Sequence, residues 1–332
     1  MGKRATRSDV AKLAGVSSAT VSYVVNNGPR PVSKETRAKI LAAIDELHYR
    51  PHAIARSLRT GSTFTVGLLV PSLLPSYISH LVNTVEDRLA SQDYSLILAS
   101  SHEDCEREKR LLDILMDQAI DGLIFIPVSC RNREQFNHYR EEGIPVVFMD
   151  RYLPDVPADV VMTNNIAASK QATNYLIDKG CRHNLCISFS EEASSALDRV
   201  EGFYQAHLER DLNVNKDMVL VIRSAVGQMV EPALLTHMDT YGVPEGILCT
   251  IEDFIVGAMK ALKQHSLRVP DQVRVAGGFF DSPWIGLLDP PVAIIRQNFQ
   301  AIASKAVEFL MDRMNGDESP PRIELVEAEL VT

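Results

Sequence analysis

The chain lacks most of the signatures of a secreted, membrane-embedded or catalytic protein. Its five cysteines, Cys105, Cys130, Cys181, Cys186 and Cys249, are odd in number and include no Cys-x-x-Cys pair. Cys181 and Cys186 flank His183, but a lone Cys-x4-Cys lacks the second pair of ligands that a tetrahedral zinc site needs. Reduced thiols are expected, with no metal and no cofactor. No apolar run approaches the ~18 residues that span a bilayer, and the polar, charged N-terminus has no leader pattern, so a cytoplasmic protein is expected. Gly-x-Gly-x-x-Gly, the P-loop, Gly-x-Ser-x-Gly and His-Glu-x-x-His are all missing. His102, His138 and His183 show no spacing that demands a general base. These absences argue against an enzyme and leave a binding protein.

Charge is present but unevenly placed. Residues 1–60 carry 11 Lys and Arg against 4 Asp and Glu, whereas the remainder carries 23 against 39, within a net charge of −9 over 332 residues. A basic head on an acidic body fits a nucleic-acid-binding module joined to a part that must stay off nucleic acid. Ordinary solubility explains the acidic body equally well.

Asp9 to Ser22, DVAKLAGVSSATVS, spells two short helices around a tight turn. Thr6 and Asp9 have capping-box spacing, and Val10, Leu13 and Ala14 share one helical face. Gly15 suits the left-handed stop, Val16 plugs the turn, and Ser17 caps a second helix whose Val21, Val24 and Val25 face inward. Ser18, Ala19, Ser22 and Tyr23 then face outward. This is a helix-turn-helix pattern, although an ordinary αα-hairpin has the same texture. After the turn Asn26 to Pro31, Ser33 caps a third helix to about His48, with Ile40, Leu41, Ile44 and Leu47 inward. Pro51 breaks the chain, and His52 to Arg59 forms a short helical pattern that needs a partner to persist.

From Thr65 the texture changes to apolar runs alternating with helical stretches. The runs are 66–70, 94–99, 122–126, 145–149, 184–189, 220–222, 246–249, 274–277 and 293–295. Continuous apolar strands separated by helices indicate parallel sheets covered on both faces. Nine runs are many for one sheet, so two doubly wound lobes with a cleft are expected. Ligands of such folds bind beyond the carboxyl ends of strands. Near those ends lie Tyr77, Ile126, Asp150, Arg199, Phe280 and Asp281. Asp150 and Arg199 are the polar candidates for gripping a small molecule, with Tyr77 and Phe280 as flat walls. The plain alternative is a solvated carboxylate and a surface arginine.

The segments DVAKLAGVSSATVSYVVNN, VSKETRAKILAAIDELHYRP and AIARSLRTGST together resemble the headpiece and hinge of LacI/GalR-type bacterial transcription regulators. VGLLVP, IDGLIFIP, GIPVVFMDR, RVEGF, LRVPDQVRVAGGFFDSP and DPPVAIIRQ extend the resemblance over essentially the whole chain. It implies an all-α helix-turn-helix headpiece (1–50), a hinge helix (51–61) and an α/β periplasmic-binding-protein-like core (62–332) of two doubly wound parallel-sheet lobes. The first lobe would be about 62–162 with 292–321, and the second about 163–291 with 322–332. A homodimer on a pseudo-palindromic operator is implied, with Ser17, Thr20, Ser22 and Asn26 on phosphates and Ser18, Ala19 and Tyr23 toward base edges. Tyr49, Ala55, Leu58 and Arg59 are further DNA positions, Leu58 as the minor-groove wedge. Asp150, Arg199 and Gln297 match effector positions, with Tyr77 where an aromatic lines the pocket.

Two departures stand out. Gly278-Phe279-Phe280-Asp281 puts Phe280 where the family has its first Asp, and Ile251 and Glu252 stand where it has Asn-Asp. The expected function is a repressor whose operator affinity is modulated by an effector. A sugar or sugar derivative is the first expectation for that effector, and a more apolar metabolite the alternative suggested by the departures. The rival function is a cytoplasmic solute sensor acting on a protein partner without DNA.

Overall fold

The computed structural model describes residues 5–25, 31–49, 62–129, 134–223, 227–279 and 292–332. The chain forms two compact units, Met1–Thr63 and Phe64–Thr332. Expectations for the hinge at 51–61 lie outside the described residues.

The first unit holds α1 (Arg7–Ala14), α2 (Ser18–Val25) and α3 (Lys34–Glu46). Val10, Ala11, Val21, Val24, Ile40 and Ala43 form its buried core, with Val16, Ile44, Leu47 and Tyr49 packed against it. Leu13 and Leu41, expected inside, are 47% and 51% exposed. Three helices of this length enclose only a narrow apolar stripe, and small Ala11 and Ala43 are buried in it instead.

In the second unit the apolar runs become two six-stranded sheets. The first sheet has the order β11-β5-β4-β3-β1-β2, from β1 (Thr65–Val70), β2 (Ser95–Ser100), β3 (Gly122–Phe125), β4 (Val146–Met149), β5 (Asp159–Thr163) and β11 (Ile323–Val326), all parallel. The helices α4 (Ser76–Ala90) and α11 (Phe299–Met314) share one core cluster with it, and α5 (Cys105–Asp117) and α6 (Glu134–Glu141) another. The second sheet has the order β12-β10-β9-β8-β6-β7, from β6 (Asn184–Ser188), β7 (Val219–Val221), β8 (Gly246–Cys249), β9 (Arg274–Gly277), β10 (Ala293–Arg296) and β12 (Glu329–Val331). The helices α7 (Asn165–Asp178) and α8 (Ser194–Leu208) pack in one cluster, and α9 (Val230–Tyr241) and α10 (Glu252–Gln264) in the other. Leu68, Ile124, Phe125, Phe148, Ile187 and Leu248 are fully buried, and side chains of this kind each contribute roughly 1.5–3 kcal/mol by leaving water.

Three features correct the sequence reading. The strand at Ala293–Arg296 pairs with β9 and β12, so it belongs to the second lobe and not the first. Ile323–Val326 pairs with β5 and returns the chain to the first lobe; only β12 ends in the second, where it is antiparallel to β10. The strand Asp159–Thr163 was missed because Asp and Thr at its ends shorten the apolar run. Asp159 is nevertheless 2% exposed, held by Arg313 Nη2 at 2.8 Å and Arg322 Nη2 at 2.9 Å.

The chain therefore crosses between lobes after β5, after β10 and between β11 and β12. These crossovers are stitched together. Asn164 N donates to Val326 O at 2.9 Å, Asn164 Nδ2 to Glu327 Oε1 at 3.0 Å, and Gln297 Nε2 to Thr163 Oγ1 at 2.5 Å.

Candidate functional site

The reading head is organised by its caps. Thr6 Oγ1 accepts from Asp9 N at 3.3 Å while Thr6 N donates to Asp9 Oδ2 at 2.8 Å, closing a reciprocal capping box. Gly15 ends α1 with φ 66° and ψ 33°, a left-handed conformation that disfavours a side chain by roughly 1–2 kcal/mol. Ser17 Oγ accepts from Thr20 N at 3.1 Å and lies 2.8 Å from Thr20 Oγ1. Both hydroxyls thus sit at the start of α2, whose unpaired N–H groups and positive dipole end favour phosphate. Ser17 and Ala19 are exposed, and Ser18, Thr20, Ser22 and Tyr23 are half-buried around the buried Val21 and Val24. The short side chains keep the rim low enough for a helix to enter a groove. Tyr49 is half-buried against the headpiece core. Asn26, Ala55, Leu58 and Arg59 lie outside the described residues.

The second site is the cleft between the lobes. On the first lobe Tyr77 begins α4 after β1, stacks on Phe299 with ring centroids 4.9 Å apart, and hydrogen-bonds the Asp150 carboxyl. Burial, with Asp150 beside it, pushes the Tyr77 phenol well up. Asp150 follows β4 and is 3% exposed. Burial raises its carboxyl above the ordinary range, against the opposing pull of Arg199 and Arg151. Arg151 is also buried, and its Nη1 and Nη2 each reach Glu103 at 3.1 Å. Burial works against this charge, but Glu103 more than offsets it and keeps the guanidinium protonated.

On the second lobe Arg199 lies in the second turn of α8 and is 5% exposed. Its Nε donates to Asn165 Oδ1 at 2.8 Å, and its Nη1 to the Thr250 carbonyl at 2.7 Å. Its Cζ lies 4.1 Å from the centre of the Phe279 ring. Burial lowers this arginine to about 10, with Asp150 and Tyr77 pulling the other way. Arg199 and Asp150 therefore feel each other across the cleft, and among the described residues no direct ion pair joins them.

Residues 151–152 carry direct contacts between lobes. Arg151 stacks over Phe189 at 5.1 Å, Tyr152 N donates to Ser194 Oγ at 2.8 Å, and Tyr152 OH donates to Asp198 Oδ1 at 3.4 Å. His102, Glu103, Asp150 and Phe279, at the carboxyl ends of β2, β4 and β9, all have positive φ, between 49° and 65°. Left-handed non-glycine residues cost roughly 1–3 kcal/mol each and concentrate at functional sites.

Of the residues expected to hold an effector, the structure brings Tyr77, Asp150 and Arg199 together, with Gln297 buried at the crossover. Ile126 is wholly buried in the first lobe's core, in the same cluster that Tyr77 packs against. Phe280 lies outside the described residues; its neighbour Phe279 provides the flat face against Arg199. Sequence reasoning missed Glu103, Arg151, Asn165, Phe189 and Thr250. Arg151 was in view beside Asp150, but nothing local announces that a lysine-like surface charge is buried. Among the described residues no cluster of His, Cys, Asp and Glu is arranged to hold a metal, and no helix is long and apolar enough to cross a membrane.

Known proteins resemble this chain over nearly its whole length. The model of the bacterial regulatory proteins, lacI family, matches residues 6–52, and that of the periplasmic binding protein-like domain matches 173–332. The HTH-type transcriptional repressor PurR of Vibrio campbellii is 32% identical over 98% of this chain and 97% of its own length. The ribose operon repressor of Escherichia coli is 33% identical over 93% of each. Among solved structures, the lac repressor dimer bound to operator and an anti-inducer shares the fold, with a TM-score of 0.86 at 23% identity over 99% of this chain and 98% of that one. A transcriptional regulator CelR–cellobiose complex has a TM-score of 0.75 at 25% identity, covering 99% of both chains. With its capped reading head and two-lobed core, the chain belongs to the LacI family of bacterial regulatory proteins: it is a DNA-binding transcriptional regulator and not an enzyme.

Proposed function

We propose that this regulator is a cytoplasmic repressor that binds a pseudo-palindromic operator as a homodimer and responds to a small molecule held between its lobes. The observation that carries the reading is the facing pair Asp150 and Arg199, one from each lobe, buried and not in direct contact. A ligand bridging them stabilises one lobe arrangement, and it changes operator affinity only by its differential affinity for the two states. Ser17, Thr20, Ser22 and Asn26 are proposed as phosphate contacts and Ser18, Ala19 and Tyr23 as the base-facing set. Tyr49, Ala55, Leu58 and Arg59 complete the DNA surface, with Leu58 as the wedge. A wedge that unstacks one base step costs a few kcal/mol, recovered through the extra contacts a bent duplex allows.

A salt titration tests the DNA half of the reading. Each phosphate neutralised adds about 0.9 to the slope of log affinity against log salt. A steep slope is expected, and a flat one sinks operator binding in favour of a solute sensor acting on a protein partner. Leu58→Ala should weaken operator binding with the headpiece still folded; unchanged affinity removes the wedge.

A further inference from the structure

At the amino ends of β4 and β5 the first lobe carries a crevice of about 360 Å³, at the opposite end of these strands from the cleft between the lobes. Small-molecule sites begin at about this volume. Its apolar walls come from Phe136 on α6, Ile144 and Pro145 before β4, Pro157 and Ala158 before β5, and Pro321 before β11. These walls are stiff. Phe136 is 4% exposed and fixed against Phe125 and Phe148, with ring centroids 5.0 and 5.1 Å away. Pro145, Pro157 and Pro321 each lock their own φ. The turn before β11 is tied to α11, because Arg313 Nη1 donates to the Asp317 carbonyl at 2.8 Å and Nη2 to the Pro320 carbonyl at 3.1 Å. A ligand entering here meets a surface already formed, so little ordering of the protein opposes binding.

The charged side chains of the lining are spent, with one exception. Asp159 Oδ1 accepts from Arg313 Nη2 and Arg322 N, and Oδ2 from Arg313 Nε and Arg322 Nη2. Asp317 Oδ1 and Oδ2 accept from Ser319 N and Ser319 Oγ. Arg313 divides its donors between the Asp159 carboxylate and the carbonyls of the turn. Arg140, the remaining charged residue of the lining, is exposed, and among the described residues its guanidinium has no hydrogen bond or ion pair.

We propose that this crevice is a small-molecule site separate from the cleft, and that its ligand is a small aromatic carboxylate, with the ring between the apolar walls and the carboxylate on Arg140. A guanidinium and a carboxylate match in two parallel charge-assisted bonds. A cationic ligand finds no unspent carboxylate in the lining, and a neutral polyol gives up water for walls that return few hydrogen bonds. A planar ring loses only apolar surface to them, which is favourable. Every wall residue belongs to the first lobe, so the site stands whether or not the cleft holds an effector. Its occupation stabilises the folded lobe by mass action.

The experiment is calorimetry on the full chain, well below its Tm, with matched probes at millimolar concentration: benzoate against benzamide, phenylacetate against phenylacetamide, and acetate and sulfate as anions without a ring. At least one aromatic carboxylate should bind tenfold or more tighter than its amide, acetate or sulfate. Arg140→Gln should erase that preference, Arg140→Lys should keep part of it, and Arg199→Gln in the cleft should leave it unchanged. Equal binding of acid and amide overturns the assignment, as does acetate or sulfate binding as tightly as the aromatic acid. So does failure of every aromatic carboxylate to bind, or a preference that survives Arg140→Gln. Loss of the preference in Arg199→Gln, with or without loss in Arg140→Gln, places the ligand in the cleft and overturns this site while leaving the cleft reading intact.

Discussion

Gly202 in α8 makes a quantitative case for how distant backbone packing sets the cleft. A Cβ built there would sit 2.3 Å from the Ile166 carbonyl oxygen and 2.9 Å from Ser169 Cβ, both on α7. The two helices approach this closely where Ser169 Oγ donates to the Arg199 carbonyl and Arg199 Nε reaches Asn165 Oδ1. Gly202→Ala must open the crossing by roughly 1 Å to restore an ordinary packing contact. The Asn165–Arg199 bond, now 2.8 Å, then stretches beyond hydrogen-bonding range. Overpacking costs about 1–3 kcal/mol, and a hydrogen bond to a charged group contributes about 1.5–3 kcal/mol. Better helix propensity of alanine returns about 1 kcal/mol. The balance is a net loss of about 1.5–5 kcal/mol, which in a unit of this size lowers Tm by roughly 3–20 °C. Calorimetry reads the Tm, and hydrogen exchange should show faster opening at the start of α7 while the headpiece is unchanged. A Tm within about 1 °C of the parent, far below any multi-kcal loss on this scale, together with unaltered exchange at Asn165 refutes the argument.

Other substitutions probe other links. Asp159→Ala strands Arg313 and Arg322, whose bonds to it hold the segment leading into β11; a loss of about 3–5 kcal/mol is expected in urea unfolding, as for a broken buried ion pair. His207 is fully buried, with Nδ1 on the Phe203 carbonyl at 2.8 Å and Nε2 3.0 Å from Asn184 Nδ2. Burial lowers its pKa, so the unfolded chain binds the extra proton more readily: stability is full above about pH 6.5 and falls as pH drops below it. His207→Gln should flatten the stability profile below about pH 6.5; an unchanged slope assigns the effect elsewhere. In the headpiece, Thr6→Ala removes a capping box and should cost about 1 kcal/mol of helix stability, measured as a loss of operator affinity that added salt does not mimic.

Much of this molecule is legible before folding is considered. The capping box at Thr6 and Asp9, the Gly15 stop and the Ser17 and Ser33 caps are local events, set by neighbours three or four residues apart. The apolar runs are local too, because a strand covered on both faces must be continuously apolar. What local pattern cannot give is partnership. The run at 293–295 reads the same in either lobe, and only its pairing with β9 decides which. Leu13 and Leu41 have the right period but exceed what a three-helix core can cover.

The sequence alone determined that this chain has a basic helix-turn-helix head and a two-lobed parallel α/β body, because caps, charge and hydrophobic period act over a few residues. It also named Asp150, Arg199 and Tyr77. Only the tertiary structure decided what those residues face. Arg199 meets Asn165, Thr250 and Phe279 across separations of 34, 51 and 80 positions, and Arg151 meets Glu103 48 positions away. Burial removes water as their partner, so the partners these residues do have follow from long-range packing and not from composition.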